Sequence, residues 1–255
     1  MNRFTHGLAA AACLAVVAAV PMALQGTARA APAASAVTTA QVATARAAAS
    51  VYVAPTRMLR YGMKGSDVKA LQQRLAALKY SPGPIDGIFG SGTREAVWAF
   101  QEVQRLTVDG VVGPITGRAL VNPRAYPARY PNGGALRVEV NLTTRVLVVY
   151  QNSRVALISH ISAGGGYYYG GGARAITPTG HFRTTHYMPG WVTVPLGVMY
   201  NPVFFIGTAY AIHGEWNYNV PVNPVSHGCV RIPYNIAVFF HTMVKTPGTS
   251  VYIYK

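Results

Sequence analysis

The run Ser226-His227-Gly228-Cys229-Val230-Arg231 sets a cysteine beside a glycine and close to a histidine. A second histidine, His213, stands sixteen positions before the cysteine with Gly214 behind it. A free thiol, with a pKa near ~8.5, is mostly protonated at neutral pH, and a neighbouring imidazole can take its proton or hold the thiolate as an ion pair. His213 and Cys229 are therefore a candidate base and nucleophile. Gly214 and Gly228 permit close approach of a substrate and unusual backbone angles, and the amides of His227, Gly228 and Cys229 could converge as an oxyanion hole. The bland reading of a single cysteine is packing. A zinc site from His213, His227 and Cys229 has suitable ligand types but lacks the paired spacing of such sites. His6, His160, His186 and His241 stand outside any motif and read as surface or packing residues.

Of the two cysteines, Cys13 lies in an apolar, alanine-rich run over residues 7–24, after Arg3 and before Ala28-Arg29-Ala30. That is the pattern of an export signal cleaved after Ala30. Pro21 and the weakly hydrophobic alanines make the same run a poor membrane anchor, so no transmembrane segment is expected in the mature chain. Cys229 then remains alone in an oxidising compartment, where a thiol is inert, paired with another chain, or reactive. The chain carries 22 Lys and Arg against 7 Asp and Glu, a net charge of +15, and loss of Arg3 and Arg29 lowers this by two. Such a surface favours anionic polymers, and export removes nucleic acid from the candidates.

The elements that must position the pair follow from periodicity. Residues 31–56, rich in Ala, Val, Thr and Ser, read as a disordered tether. Residues 57–121 read as a three-helix module: Ser66 caps a helix with Val68, Leu71, Leu75 and Leu78 on one face, and Thr93 caps a second with Val97, Phe100 and Val103. Two similar phrases, DGIFGSGT from Asp86 and DGVVGPIT from Asp109, supply turns leading into helices. Residues 122–134, with Pro123, Pro127 and Pro131, read as an extended spacer. Residues 135–255 are mainly β, suiting a sandwich or barrel-like domain, with a helix near 236–243 and a final strand SVYIY. The Gly- and Tyr-rich stretch GGGYYYGGGARAITPTG reads as a mobile loop.

GMKGSDVKALQQRLAALKY, the two DG-G-T loops and AVWAFQ resemble the peptidoglycan-binding domain of bacterial wall enzymes. The resemblance implies attachment to murein, with Asp86, Phe89 and Arg94 as groove residues. IHG followed by SHGCVR, with TPTGHF upstream, resembles the L,D-transpeptidase catalytic domain. By that resemblance Cys229 is the nucleophile, His213 the base and Gly214 the carbonyl that orients it. Ser226, His227 and Gly228 form the loop around the thiol, and Arg231 serves substrate binding or site integrity. Glu215 and His181 depart from the family pattern, which more often has hydroxyl residues there, and Asn235 does not stand at the usual asparagine place. The implied activity is cofactor-free acyl transfer between peptidoglycan stem peptides through a thioester on Cys229. The alternatives are an L,D-carboxypeptidase or other cysteine peptidase of the same stems, and a wall-binding protein without catalysis.

Overall fold

Helices α1 (Ser66–Ala77), α2 (Ser91–Gln104) and α3 (Pro114–Val121) build the helical module in a computed structural model that describes residues 52–215 and 219–255. The expected signal segment and most of the tether lie outside those residues. Val68, Leu71 and Leu75 on α1 and Val97, Phe100 and Val103 on α2 are buried as their spacing requires. The expected caps are different. Gly65 and Gly90 occupy the N-cap positions without any side-chain cap, and Thr93 sits buried inside the first turn of α2.

A repeated glutamine hub organises the module. Gln72 Nε2 donates to Asp86 Oδ1, the Ile88 carbonyl and Thr93 Oγ1, while Gln72 Oε1 accepts from the Gly87 amide. Gln101 makes the same set with Asp109, Val111, Thr116 and Gly110. The two Asp-Gly phrases are thus one loop built twice, each closed on a buried amide that has no unpaired atom to penalise folding. Phe89, expected in a ligand groove, is fully buried in the module core, because the loop turns its apolar anchor inward.

The rest of the described chain supplies eleven strands: β1 (Arg137–Asn141), β2 (Val146–Gln151), β3 (Arg154–His160), β4 (Tyr168–Tyr169), β5 (Ala173–Arg174), β6 (Gly180–Arg183), β7 (Trp191–Val194), β8 (Gly197–Ile206), β9 (Tyr210–Gly214), β10 (Val230–Ile232) and β11 (Ser250–Tyr254). Helix α4 (Tyr234–Met243) lies between the last two. One sheet runs β3-β2-β1-β11-β6 and the other β10-β9-β8-β7. Val138, Val140, Leu147 and Val149 of the first sheet meet Val203, Phe205, Ile212, Val230 and Ile232 of the second, with Ile236 and Phe240 of α4 closing the core. The Gly- and Tyr-rich stretch forms the short β4–β5 hairpin, turned over Gly170–Gly172.

Strand β2 is apolar on both faces for a reason. Side chains alternate along a strand, and while Leu147 and Val149 enter the sandwich core, Val146, Val148 and Tyr150 pack with Leu71, Leu75, Phe100 and Val103 of the module. The Ile158 amide also donates to the Lys79 carbonyl. The extended spacer is laid along the β domain. The amides of Arg129 and Tyr130 donate to Glu139, Tyr130 stacks on Tyr252 at 4.3 Å, and Tyr126 Oη lies 3.1 Å from Tyr254 Oη. Glu139 forms a buried ion pair with Arg137 at 2.8 Å, and the spacer covers it.

Because one apolar core joins module and sheet, heat or urea should unfold residues 52–255 in one transition. Val148→Ala, which thins that core, should cost about 2 kcal/mol. Calorimetry checks both, and two separable transitions would contradict the shared core.

Candidate active site

Adjacent parallel strands deliver His213 and Cys229. β9 and β10 pair with Ile212 opposite Val230 and His213 opposite Arg231. Alternation sends Ile212, Val230 and Ile232 into the core, so His213, Arg231 and Cys229, the residue just before β10, share the opposite face. All three line one cleft of about 530 Å³, walled by Tyr169, His227 and the turn of the β7–β8 hairpin.

The imidazole of His213 is buried, with Nδ1 2.8 Å from the Gly214 carbonyl oxygen. A carbonyl only accepts, so Nδ1 carries the hydrogen and Nε2 is the basic nitrogen. Burial pushes this imidazole down to about 4; the bond to Gly214 opposes the shift and the Arg231 charge adds to it. Burial pushes the Cys229 thiol up, against the lowering effects of the Ala211 backbone and the Arg231 charge. Both groups are therefore uncharged at rest near neutral pH. Burial thus disfavours a standing thiolate–imidazolium pair.

The loop before the thiol is fixed by hydroxyls. Ser226 Oγ donates to the Cys229 carbonyl at 2.6 Å and accepts from the Gly228 amide at 3.0 Å. The Gly228 amide is thereby committed, which corrects its expected place in an oxyanion hole. Thr177 Oγ1 donates to the Gly228 carbonyl at 2.7 Å and accepts from the Gly164 amide at 2.9 Å. Gly228 sits at φ 147, and a Cβ there would lie 2.6 Å from Tyr210 and 2.8 Å from the Ile176 oxygen, so only glycine fits. The ring of His227 makes edge contacts with Tyr167 and Tyr169, at 5.6 and 4.8 Å between centroids.

Arg231 Nε lies 2.8 Å from Glu215 Oε2. The departure at Glu215 thus supplies a counter-ion at the cleft. His181 stacks on Tyr252 across the β6–β11 pair, and Asn235 donates to the Ser81 carbonyl of the module. Asp86 lines a second recess of about 320 Å³ between the module and α4, together with Gln72, Thr93, Glu95 and Tyr234. Arg94 lies against the rings of Tyr61 and Trp98 and donates to Asn219 Oδ1 at 2.7 Å, so it joins the module to the loop ahead of Cys229.

His160 is more than a packing residue. It is fully buried, with Nδ1 3.1 Å from both Glu102 oxygens and Nε2 3.2 Å from the Pro221 carbonyl oxygen. Glu102 likewise lies in no motif, and Thr177, the first residue of the TPTGHF phrase, gains its role only from its tertiary partners. One signal was available: with seven acidic residues in the whole chain, each is conspicuous. Every one of them has an internal partner, including Asp67 with Arg57 and Glu95 with the Val220 amide.

The model of the L,D-transpeptidase catalytic domain matches residues 135–253, and that of a putative peptidoglycan-binding domain matches residues 64–120. The crystal structure of the L,D-transpeptidase (residues 123–326) from Xylanimonas cellulosilytica is 35% identical, with a TM-score of 0.72, over 78% of this chain and 98% of that one. The chain belongs to the L,D-transpeptidase family. A spore cortex-lytic enzyme of Bacillus cereus is 38% identical over 78 residues, 31% of this chain and 30% of that protein. An N-acetylmuramoyl-L-alanine amidase of Bacillus licheniformis is 43% identical over 65 residues, 25% of this chain and 18% of that one. The chain spans under a third of the length of these curated relatives. Of the cortex-lytic enzymes, the likeness is confined to the peptidoglycan-binding part.

In this L,D-transpeptidase-family protein, Thr177→Val should cost about 1–3 kcal/mol in urea unfolding, because it leaves the buried Gly164 amide and Gly228 carbonyl without their partner. A buried imidazole held down to about 4 binds fewer protons than its unfolded counterpart. The stability this group contributes is then fully present above about pH 6.5 and falls as pH drops towards 4, by on the order of 3 kcal/mol. Denaturation across that range should show the fall, and His213→Gln should flatten it.

Proposed function

We propose that the protein is an exported, cysteine-dependent L,D-transpeptidase acting on peptidoglycan stem peptides. The reading rests on one observation above others: His213, oriented through Nδ1, and Cys229 share one strand face and one cleft in a chain of this family. Residues 1–30 are the proposed signal, 31–56 the tether, 57–121 the murein-attachment module, 122–134 the spacer and 135–255 the catalytic part.

The reaction divides one acyl transfer into two. Cys229 Sγ attacks the carbonyl joining the third stem residue to the terminal D-residue, and its proton passes to His213 Nε2. The tetrahedral intermediate collapses, the leaving D-Ala amine takes that proton, and a thioester remains on Cys229. The amine of a neighbouring stem attacks the thioester and gives its proton to His213, which passes it to the departing Sγ, restoring the thiol and the neutral imidazole. The scheme needs no cofactor because the covalent step supplies the activation. Arg231, buffered by Glu215, supplies positive charge for stem carboxylates.

The module supports retention at the wall, and the excess of positive charge suits anionic wall polymers. Full-length Cys229→Ala protein should sediment with isolated sacculi, and more salt should weaken whatever part of that binding is electrostatic.

Purified protein should take up a carbapenem, a strained acyl donor, as a mass increase on Cys229 that Cys229→Ala abolishes. The acylation rate should rise with pH through about 4, as His213 loses its proton. Absence of an adduct at neutral pH would defeat the reading. Incubation with isolated murein should yield dimers joined between third residues; release of tripeptides alone would make the enzyme a carboxypeptidase.

A further inference from the structure

Ahead of Cys229 and β10, residues 219–226 run beside the helical module. This segment is tied down at nearly every step. Arg94 Nη2 donates to Asn219 Oδ1 at 2.7 Å, and the Val220 amide donates to Glu95 Oε1 at 2.7 Å. His160, itself held by Glu102, reaches the Pro221 carbonyl oxygen at 3.2 Å. Ser162 Oγ donates to the Asn223 carbonyl at 2.9 Å, and the Ser226 amide donates to the Ala163 carbonyl at 2.9 Å. Ser226 then clamps Cys229.

The first of these ties come from α2 of the module: Arg94, Glu95 and, through His160, Glu102. Glu95 and Val220 are both buried. A carboxylate in that place is a costly way to fill space, since burial pushes it up to about 7, and an apolar side chain would pack there at less expense of desolvation. What the carboxylate adds is a directed acceptor for one backbone amide, nine residues ahead of the thiol.

We propose that the helical module is a built-in positioning element of the active site, with Glu95 of α2 as the residue that sets the path of the 219–226 segment and so the placement of Cys229. This deepens the transpeptidase reading and rests on it. Glu95 touches no reacting atom; it acts through the Val220 amide and the Ser226 clamp. The module then has two uses, retention at the wall and alignment of the thiol.

The test uses the full-length chain with Glu95→Ala and Glu95→Gln, the second keeping an acceptor oxygen for the Val220 amide. Carbapenem acylation of Cys229 is followed by mass, and amide-deuterium exchange over 219–229 is followed in parallel. Glu95→Ala should slow the maximal acylation rate about tenfold with the half-saturating carbapenem concentration little changed, and speed exchange in 219–229. Glu95→Gln should restore both. A folded Glu95→Ala protein with wild-type acylation and exchange overturns the proposal, as does a Glu95→Gln protein as impaired as Glu95→Ala. If the wild type takes up no carbapenem, the transpeptidase reading fails, and the exchange measurement alone still decides the positioning role. Should Glu95→Ala not fold, Arg94→Met carries the same measurements, with slower acylation and faster exchange expected and wild-type values overturning the proposal.

Discussion

Strand β2 has two buried faces and no solvent face, and much else in the molecule follows from that. Leu147 and Val149 need the second sheet, while Val146, Val148 and Tyr150 need the helical module. Neither partner can be removed without exposing a row of apolar side chains to water, at roughly 1.5–3 kcal/mol for each of the larger ones. The module is consequently part of the folded body. Its second helix is carried into contact with the loop that leads to the thiol, where Glu95, Glu102 and His160 find their partners.

The cleft is nearly free of charge at its reactive centre. His213 and Cys229 are both driven towards their neutral forms by burial, and the Arg231 charge, which opposes protonation of either, is balanced by Glu215. A neutral pair in a largely apolar cleft spares the resting enzyme a buried ion pair and keeps the base unprotonated across the physiological range. The same burial keeps the Cys229 thiol protonated. All seven carboxylates, Glu215 included, have internal partners, which leaves the basic residues to dominate the outer surface.

Periodicity and motif made the architecture legible: helices with the apolar spacings of Val68 to Leu75 and Val97 to Val103, then a β sandwich, with His213 and Cys229 on neighbouring segments. The hidden parts are those that depend on tertiary partners. Nothing in VLVVYQ says which partner covers which face, and nothing in the proline-spaced run 122–134 says that it lies over Glu139 and Tyr252. Thr93 and Thr116 fit the sequence pattern of caps, yet their hydroxyls answer Gln72 and Gln101, residues from other turns of the chain. His160 lacked any motif because its partners, Glu102 and Pro221, lie 58 and 61 positions away.

Strand β11 occupies an inner place in its sheet, parallel to β1 on one side and antiparallel to β6 on the other, with Arg137 opposite Ser250. The gap between β1 and β6 is filled by residues more than a hundred positions after β1. A polypeptide emerging from its N-terminus forward cannot close this sheet until nearly all of the described chain has been made, and such distant pairings form slowly. By its own strand order the catalytic domain thus holds a place in its sheet that only the last strand of the chain can fill.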